Sequence, residues 1–123
     1  FFFAMDLYTK AGPDGSVGDC PFSHTVRMVL AVKGLQCTVH PCAPDQKPAW
    51  LVQDLGGKMP CLDDKGERTV ETTAIAAYLD RQYPEPPMLS PYPEALQAEA
   101  QEATRDLFPT MARLIKSKEF DAA

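Results

Sequence analysis

Met5-Asp6-Leu7-Tyr8-Thr9, a glycine-rich loop, and then Gly18-Asp19-Cys20-Pro21-Phe22-Ser23-His24 is the stretch from which the fold is read. The first run alternates apolar and polar residues and predicts a short strand, ended by a loop carrying Gly12, Pro13, Gly15 and Gly18. Pro21 marks a helix start, because its missing N–H would have had no partner within the helix. Val26, Val29 and Leu30 continue with helical spacing until Lys33-Gly34 closes the run. A strand that feeds a helix through a Cys-Pro step is therefore the seed of the fold.

Outward from this seed the pattern alternates. Gln36 to Pro41 predicts a second strand, and Pro44 to Gln53 a short helix around Trp50, Leu51 and Val52, stopped by Gly56-Gly57. Met59 to Leu62 predicts a third strand, Asp63 to Gly66 a hairpin turn and Glu67 to Val70 a fourth strand. Glu71-Thr72-Thr73 opens a helix with Ile75, Tyr78, Leu79 and Tyr83 on one face. The order β-α-β-α-β-β-α implies an α/β fold with a mixed sheet covered by helices. The expected domains are residues 1–83, a Pro-rich linker over 84–93, and a helical segment over 94–123. That last segment reads as one helix from Glu94 to Lys116 that Pro109 kinks or interrupts. A lone amphipathic helix cannot bury its own apolar face, so the helical part is expected to be truncated.

The chain has 123 residues, 45% apolar and 24% charged, with a net charge of −5. That acidity disfavours nucleic acid and anionic lipid as partners. No window nears the roughly 18–20 continuous apolar residues of a membrane span. Phe1-Phe2-Phe3-Ala4 is too short for a signal sequence and reads as an appended remnant ahead of a natural start near Met5. Four cysteines, at 20, 37, 42 and 61, form no CxxC pair, and two histidines give no zinc spacing. Reduced thiols in a cytosol-like compartment are expected, with no metal.

A cysteine at a helix start faces unpaired N–H groups and the positive end of the helix dipole, and both favour thiolate. Ser23 is expected to donate its O–H to that thiolate but cannot close a disulfide, which favours mixed disulfides with a small thiol. Position alone equally fits a cysteine that merely packs. Asp19 opposes ionisation unless it points away, and otherwise serves in hydrogen bonding or proton transfer. Met59-Pro60 is a candidate cis turn offering the Met59 backbone to an extended peptide, against a base rate of about 5% cis. Glu71-Thr72 suits a ligand carrying an α-amine and an α-carboxylate, or is a simple helix cap. Lys10 and Lys47 are loop cations, ordinarily solvated. Cys37, Cys42 and Cys61 read as bystanders, with Cys42 open to oxidation in an exposed loop. His24 and His40 have no evident acid partner, and Trp50 reads as a core anchor.

Together, Lys10-Ala11, Gly18 to Ser23, Lys47-Pro48-x-Trp50, Gly57 to Pro60, Glu71-Thr72 and Tyr83 to Pro86 resemble the glutathione transferase superfamily. Within it they resemble the plant-type dehydroascorbate reductases, as do Phe108-Pro109-Thr110 and Leu114 to Lys118. The resemblance implies a thioredoxin-like domain followed by the first helix of an all-helical one. It implies Cys20 as nucleophile, and Lys10 and Asp19 beside dehydroascorbate. Met59-Pro60 would clamp glutathione, with Glu71 and Thr72 on its γ-glutamyl end and Lys47 on its glycine end. Glutathione is then a co-substrate and no cofactor is tightly bound. His24 in place of Gln, and Glu71-Thr72 in place of Asp-Ser, depart from the family pattern and bear on affinity. The implied activity is ping-pong reduction of dehydroascorbate, an antioxidant step that recycles ascorbate. Alternatives are an omega- or lambda-type thiol transferase, or a non-enzymatic relative of the chloride intracellular channel proteins. Arg27 and Lys33, which interrupt the first helix, weigh against the last. A cytoplasmic or, after removal of a transit peptide, plastid location is expected. So is a monomer if full length, or association through the C-terminal helix if truncated.

Overall fold

The computed structural model describes residues 5–88 and 92–117. The predicted remnant at 1–4, linker positions 89–91 and residues 118–123 lie outside the described residues. The chain divides into two compact units, 1–89 and 90–123.

The first unit runs β1 (Met5–Lys10), α1 (Pro21–Val32), β2 (Thr38–Cys42), α2 (Ala49–Leu55), β3 (Cys61–Asp64), β4 (Glu67–Val70) and α3 (Thr72–Gln82). The sheet order is β2-β1-β3-β4, with β1 parallel to β2 and antiparallel to β3, and β3 antiparallel to β4. This is the mixed α/β sheet that the alternation implies. Met5 and Leu7 of β1 point to one face and pack with Val26, Val29 and Leu30 of α1, Leu62 of β3, and Ile75, Tyr78 and Leu79 of α3. Each such fully buried aliphatic side chain contributes about 1.5–3 kcal/mol.

Several boundaries differ from the sequence reading. β2 starts at Thr38 and includes Cys42; Pro41 is tolerated because β2 is an edge strand. Cys42 is consequently buried rather than in an exposed loop, with its thiol near the His40 carbonyl at 3.4 Å. β3 starts at Cys61, and the hairpin turn is only Lys65-Gly66, both at positive φ, with Gly66 N–H donating to Asp63 Oδ1 at 2.8 Å. α2 begins at Ala49, after Pro48.

The other sheet face corrects two side-chain readings. His40 Nε2 meets Asp6 Oδ1 at 2.7 Å, so it does have an acid partner, and its ring stacks on Tyr8. Trp50 is only half-buried and acts as a platform rather than a core anchor. Tyr8 meets it edge-on, and the Arg68 guanidinium lies 3.7 Å from its ring centre. Leu51, its neighbour, is the fully buried residue of α2.

Lys33 is another departure. Its ammonium is enclosed and donates to Asp80 Oδ1 at 2.8 Å and to the Tyr83 and Pro86 carbonyls at 2.7 Å each. All three ammonium donors are used, so α1, α3 and the start of the predicted linker are tied together.

The second unit holds α4 (Glu94–Thr104) and α5 (Leu107–Ile115). The single predicted helix is broken at Arg105-Asp106, four residues ahead of Pro109. Pro109 cannot donate to the Arg105 carbonyl, and its ring clashes there, so the break falls one turn earlier in sequence.

Candidate active site

The end of β1 sets where Cys20 lies. Ala11 N–H donates to the Cys42 carbonyl at 3.0 Å, after which the chain doubles back, with Ala11 bridging Val17 and Gly12 N–H donating to the Ser16 carbonyl at 2.7 Å. Gly18 N–H then returns to the Lys10 carbonyl at 2.9 Å. A Cβ at Gly18 would sit 3.1 Å from that same oxygen and 3.2 Å from the Ala11 carbonyl carbon. Only glycine lets the two backbones approach this closely.

Two residues later Cys20 is the N-cap residue of α1, in extended conformation (φ −64°, ψ 116°), with Pro21 as the first helical residue. Its carbonyl accepts the His24 N–H at 3.0 Å. The Cys20 side chain is partly exposed at this helix mouth, and Asp19 beside it is exposed. Ser23 does not behave as expected. Its hydroxyl is buried and has no hydrogen-bond partner, so no bond joins it to the Cys20 thiol. At the third helical position it faces inward with Val26, towards the core side of α1. Lys10 is exposed at the end of β1.

The remaining cysteines are placed differently. Burial pushes the thiols of Cys37 and Cys61 up to about 11, and burial raises Cys42 as well. All three are therefore protonated and weakly nucleophilic at neutral pH.

A cleft of about 320 Å³ is lined by Phe22, Lys58, Met59, Pro60, Glu71 and Thr72. The Met59–Pro60 peptide is cis. Among the described residues, no hydrogen bond engages the Met59 N–H or C=O, which leaves both free for an extended ligand backbone. Glu71 turns the chain from β4 into α3 with φ 74° and ψ 124°, and its side chain does not cap the helix. The simple-cap reading of Glu71-Thr72 is thus not realised. Instead Glu71 Oε1 takes the Lys58 ammonium at 3.1 Å. Lys47 Nζ donates to the Gly57 carbonyl at 2.8 Å and so braces the loop that carries Met59.

The structure therefore gathers Met59, Pro60, Glu71 and Thr72 in one cleft. Phe22, two residues past Cys20, forms part of its wall. Cys20, Asp19, Ser23, Lys10 and Lys47 are not among its lining residues. Lys58 and Phe22 escaped sequence reasoning. Lys58 sits inside the Gly57 to Pro60 run, but its partner lies 13 residues away.

Among the described residues no group of three His, Cys, Asp or Glu side chains is placed to hold a metal, and no helix is long and apolar enough to cross a membrane.

Residues 16–87 match the family described as "Glutathione S-transferase, N-terminal domain". The chain is 33% identical over 92 residues to Glutathione S-transferase DHAR2 of Arabidopsis thaliana, an alignment covering 72% of this chain and 43% of that protein. A dehydroascorbate reductase from Chlamydomonas reinhardtii superposes with a TM-score of 0.73 at 29% identity, over 90% of this chain and 50% of that one. Glutathione transferase Omega 3C from Trametes versicolor superposes with a TM-score of 0.72 at 20% identity, a likeness of fold alone, over 93% of this chain and 51% of that one. The chain thus spans about half the length of these proteins or less. With a mixed four-stranded sheet, a Cys-Pro helix start and this match, the chain belongs to the glutathione S-transferase family through a thioredoxin-like N-terminal domain, and within it is similar to dehydroascorbate reductases.

Proposed function

We propose that this domain serves glutathione-dependent reduction of dehydroascorbate through Cys20. The carrying observation is the partly exposed Cys20 at the mouth of α1, two residues in sequence from the wall of a cleft with a free peptide-pairing backbone at Met59. The likeness to the Arabidopsis and Chlamydomonas proteins supports the substrate. In the proposed cycle the Cys20 thiol and a water give two electrons and two protons to dehydroascorbate, leaving ascorbate and a sulfenic acid. One glutathione condenses with the sulfenic acid, releasing water and forming a mixed disulfide. A second glutathione attacks that disulfide, releasing oxidised glutathione and restoring the thiol.

Met59 is assigned to the glutathione backbone, and Glu71 and Thr72 to its α-amino and α-carboxylate groups. Lys47 is assigned to the glycine carboxylate, with the donors left after its bond to Gly57. Lys10 and Asp19, both exposed near Cys20 in sequence or across the Gly18 contact, are assigned to dehydroascorbate. Ser23 is assigned a structural place under the helix start, because its hydroxyl is buried.

The test is ascorbate formation from dehydroascorbate and glutathione, with a glutathionylated peptide as competing substrate. Cys20→Ala should lower ascorbate formation by about a thousandfold or more. A Cys20→Ala variant that retains most activity overturns the assignment. Faster deglutathionylation than dehydroascorbate reduction would reassign the substrate to the omega type while keeping Cys20.

A further inference from the structure

We propose that Lys58 occupies the ammonium position of the cleft in the free protein and must be displaced by the α-amino group of an incoming ligand. This rests on the reading of the cleft as a glutathione site. Lys58 and Glu71 line the same cleft as Met59 and Thr72, so any ligand held by the Met59 backbone reaches both charges. The Lys58 ammonium is 3.1 Å from Glu71 Oε1. A ligand α-ammonium is the same chemical group, and it seeks the same carboxylate.

Among the described residues, the Glu71 carboxylate pairs with Lys58 and with no other side chain. It does not cap α3, although Glu71 holds the N-cap position, and the backbone there adopts φ 74°, which residues with side chains rarely take. A carboxylate has acceptor sites for more than one donor. Two ammonium groups on one carboxylate nevertheless repel each other at contact distance. Lys58 is the partner that yields. It is 63% exposed, so water receives its charge readily, whereas the ligand is held at several points. Lys58 thereby acts as a specificity residue. It keeps the anionic corner neutralised when the cleft is empty, so a ligand ammonium must displace it to reach Glu71, and the advantage of bringing one is reduced.

An exposed ion pair is weak, so the effect is small and measurable. Binding of glutathione and of its des-amino analogue, glutaryl-cysteinyl-glycine, is compared by titration calorimetry in the native chain, Lys58→Met and Lys58→Arg. Both ligands feel the general positive field of Lys58, but only glutathione competes with it for Glu71. Lys58→Met should raise the ratio of glutathione to analogue affinity by roughly two- to fivefold, and Lys58→Arg should leave it unchanged. A ratio that stays constant or falls in Lys58→Met, with both ligands still binding, overturns the proposal alone. A native chain that binds neither ligand overturns the glutathione reading and this proposal with it.

Discussion

At Gly18 a single hydrogen atom in place of a side chain decides where the Cys20 sulfur lies. A Cβ there would press on the Lys10 carbonyl at 3.1 Å, and backbone cannot swing aside as a side-chain tip can. Gly18→Ala should therefore cost about 1–3 kcal/mol, read as a lower denaturation midpoint, and should slow Cys20 chemistry more than Gly15→Ala at the open loop tip. Equal slowing of Cys20 chemistry would contradict the contact, because Gly15→Ala, at φ 79°, strains only the loop tip. Cys20 itself was legible from sequence because its setting is local: a glycine loop, then Cys-Pro, then helical spacing. Ser23 was legible only as a neighbour, since three residues along a helix start turn a side chain inward as readily as towards the cap. Lys58 and His40 were not legible, because their partners Glu71 and Asp6 come from distant elements.

Among the elements, α1 and α3 are coupled by a lysine that looks solvated in sequence. Lys33 follows the last apolar residues of α1 and reads as a polar stop, yet its ammonium serves Asp80 of α3 and two carbonyls beyond it. Asp80 also accepts the Met88 N–H at 2.7 Å. Lys33→Met should destabilise the first unit by about 3 kcal/mol in denaturant, since it removes the cation that neutralises a largely buried carboxylate and takes a donor from two carbonyls. It should also speed proteolytic cleavage near Pro84 to Met88. A loss below about 1 kcal/mol with unchanged proteolysis contradicts the clamp. Strand and helix identities were readable from periodicity, while their ends were not. β3 and the Lys65-Gly66 turn show why: Asp63 and Asp64 carry turn-type side chains but are claimed by pairing with Arg68 and Glu67 across the hairpin. At Pro109 the disrupting residue was visible, and the break lies where its missing N–H is felt.

For the whole molecule, the thiols set an alkaline limit. Folding pushes Cys37 and Cys61 up to about 11, against about 8.5 for a free thiol. The unfolded chain loses these protons first, so the folded state binds more protons in that window. The contribution of these two thiols to stability should fall as pH rises from about 8.5 to about 11 and level off above it. Buried Tyr78 and half-buried Tyr83, raised by burial and by hydrogen bonds to Asp64, steepen the fall above pH 10. Urea midpoints across that range check the sign, and a midpoint that rises would contradict it. The same asymmetry among cysteines bears on the central proposal, that Cys20, partly exposed at the mouth of α1, is the nucleophile among the four thiols. Brief alkylation of the native chain with iodoacetamide at pH 7, read site by site by mass spectrometry, measures this directly. Cys20 should be modified about tenfold or more faster than Cys37, Cys42 and Cys61; a Cys20 that labels no faster than those three would contradict the account.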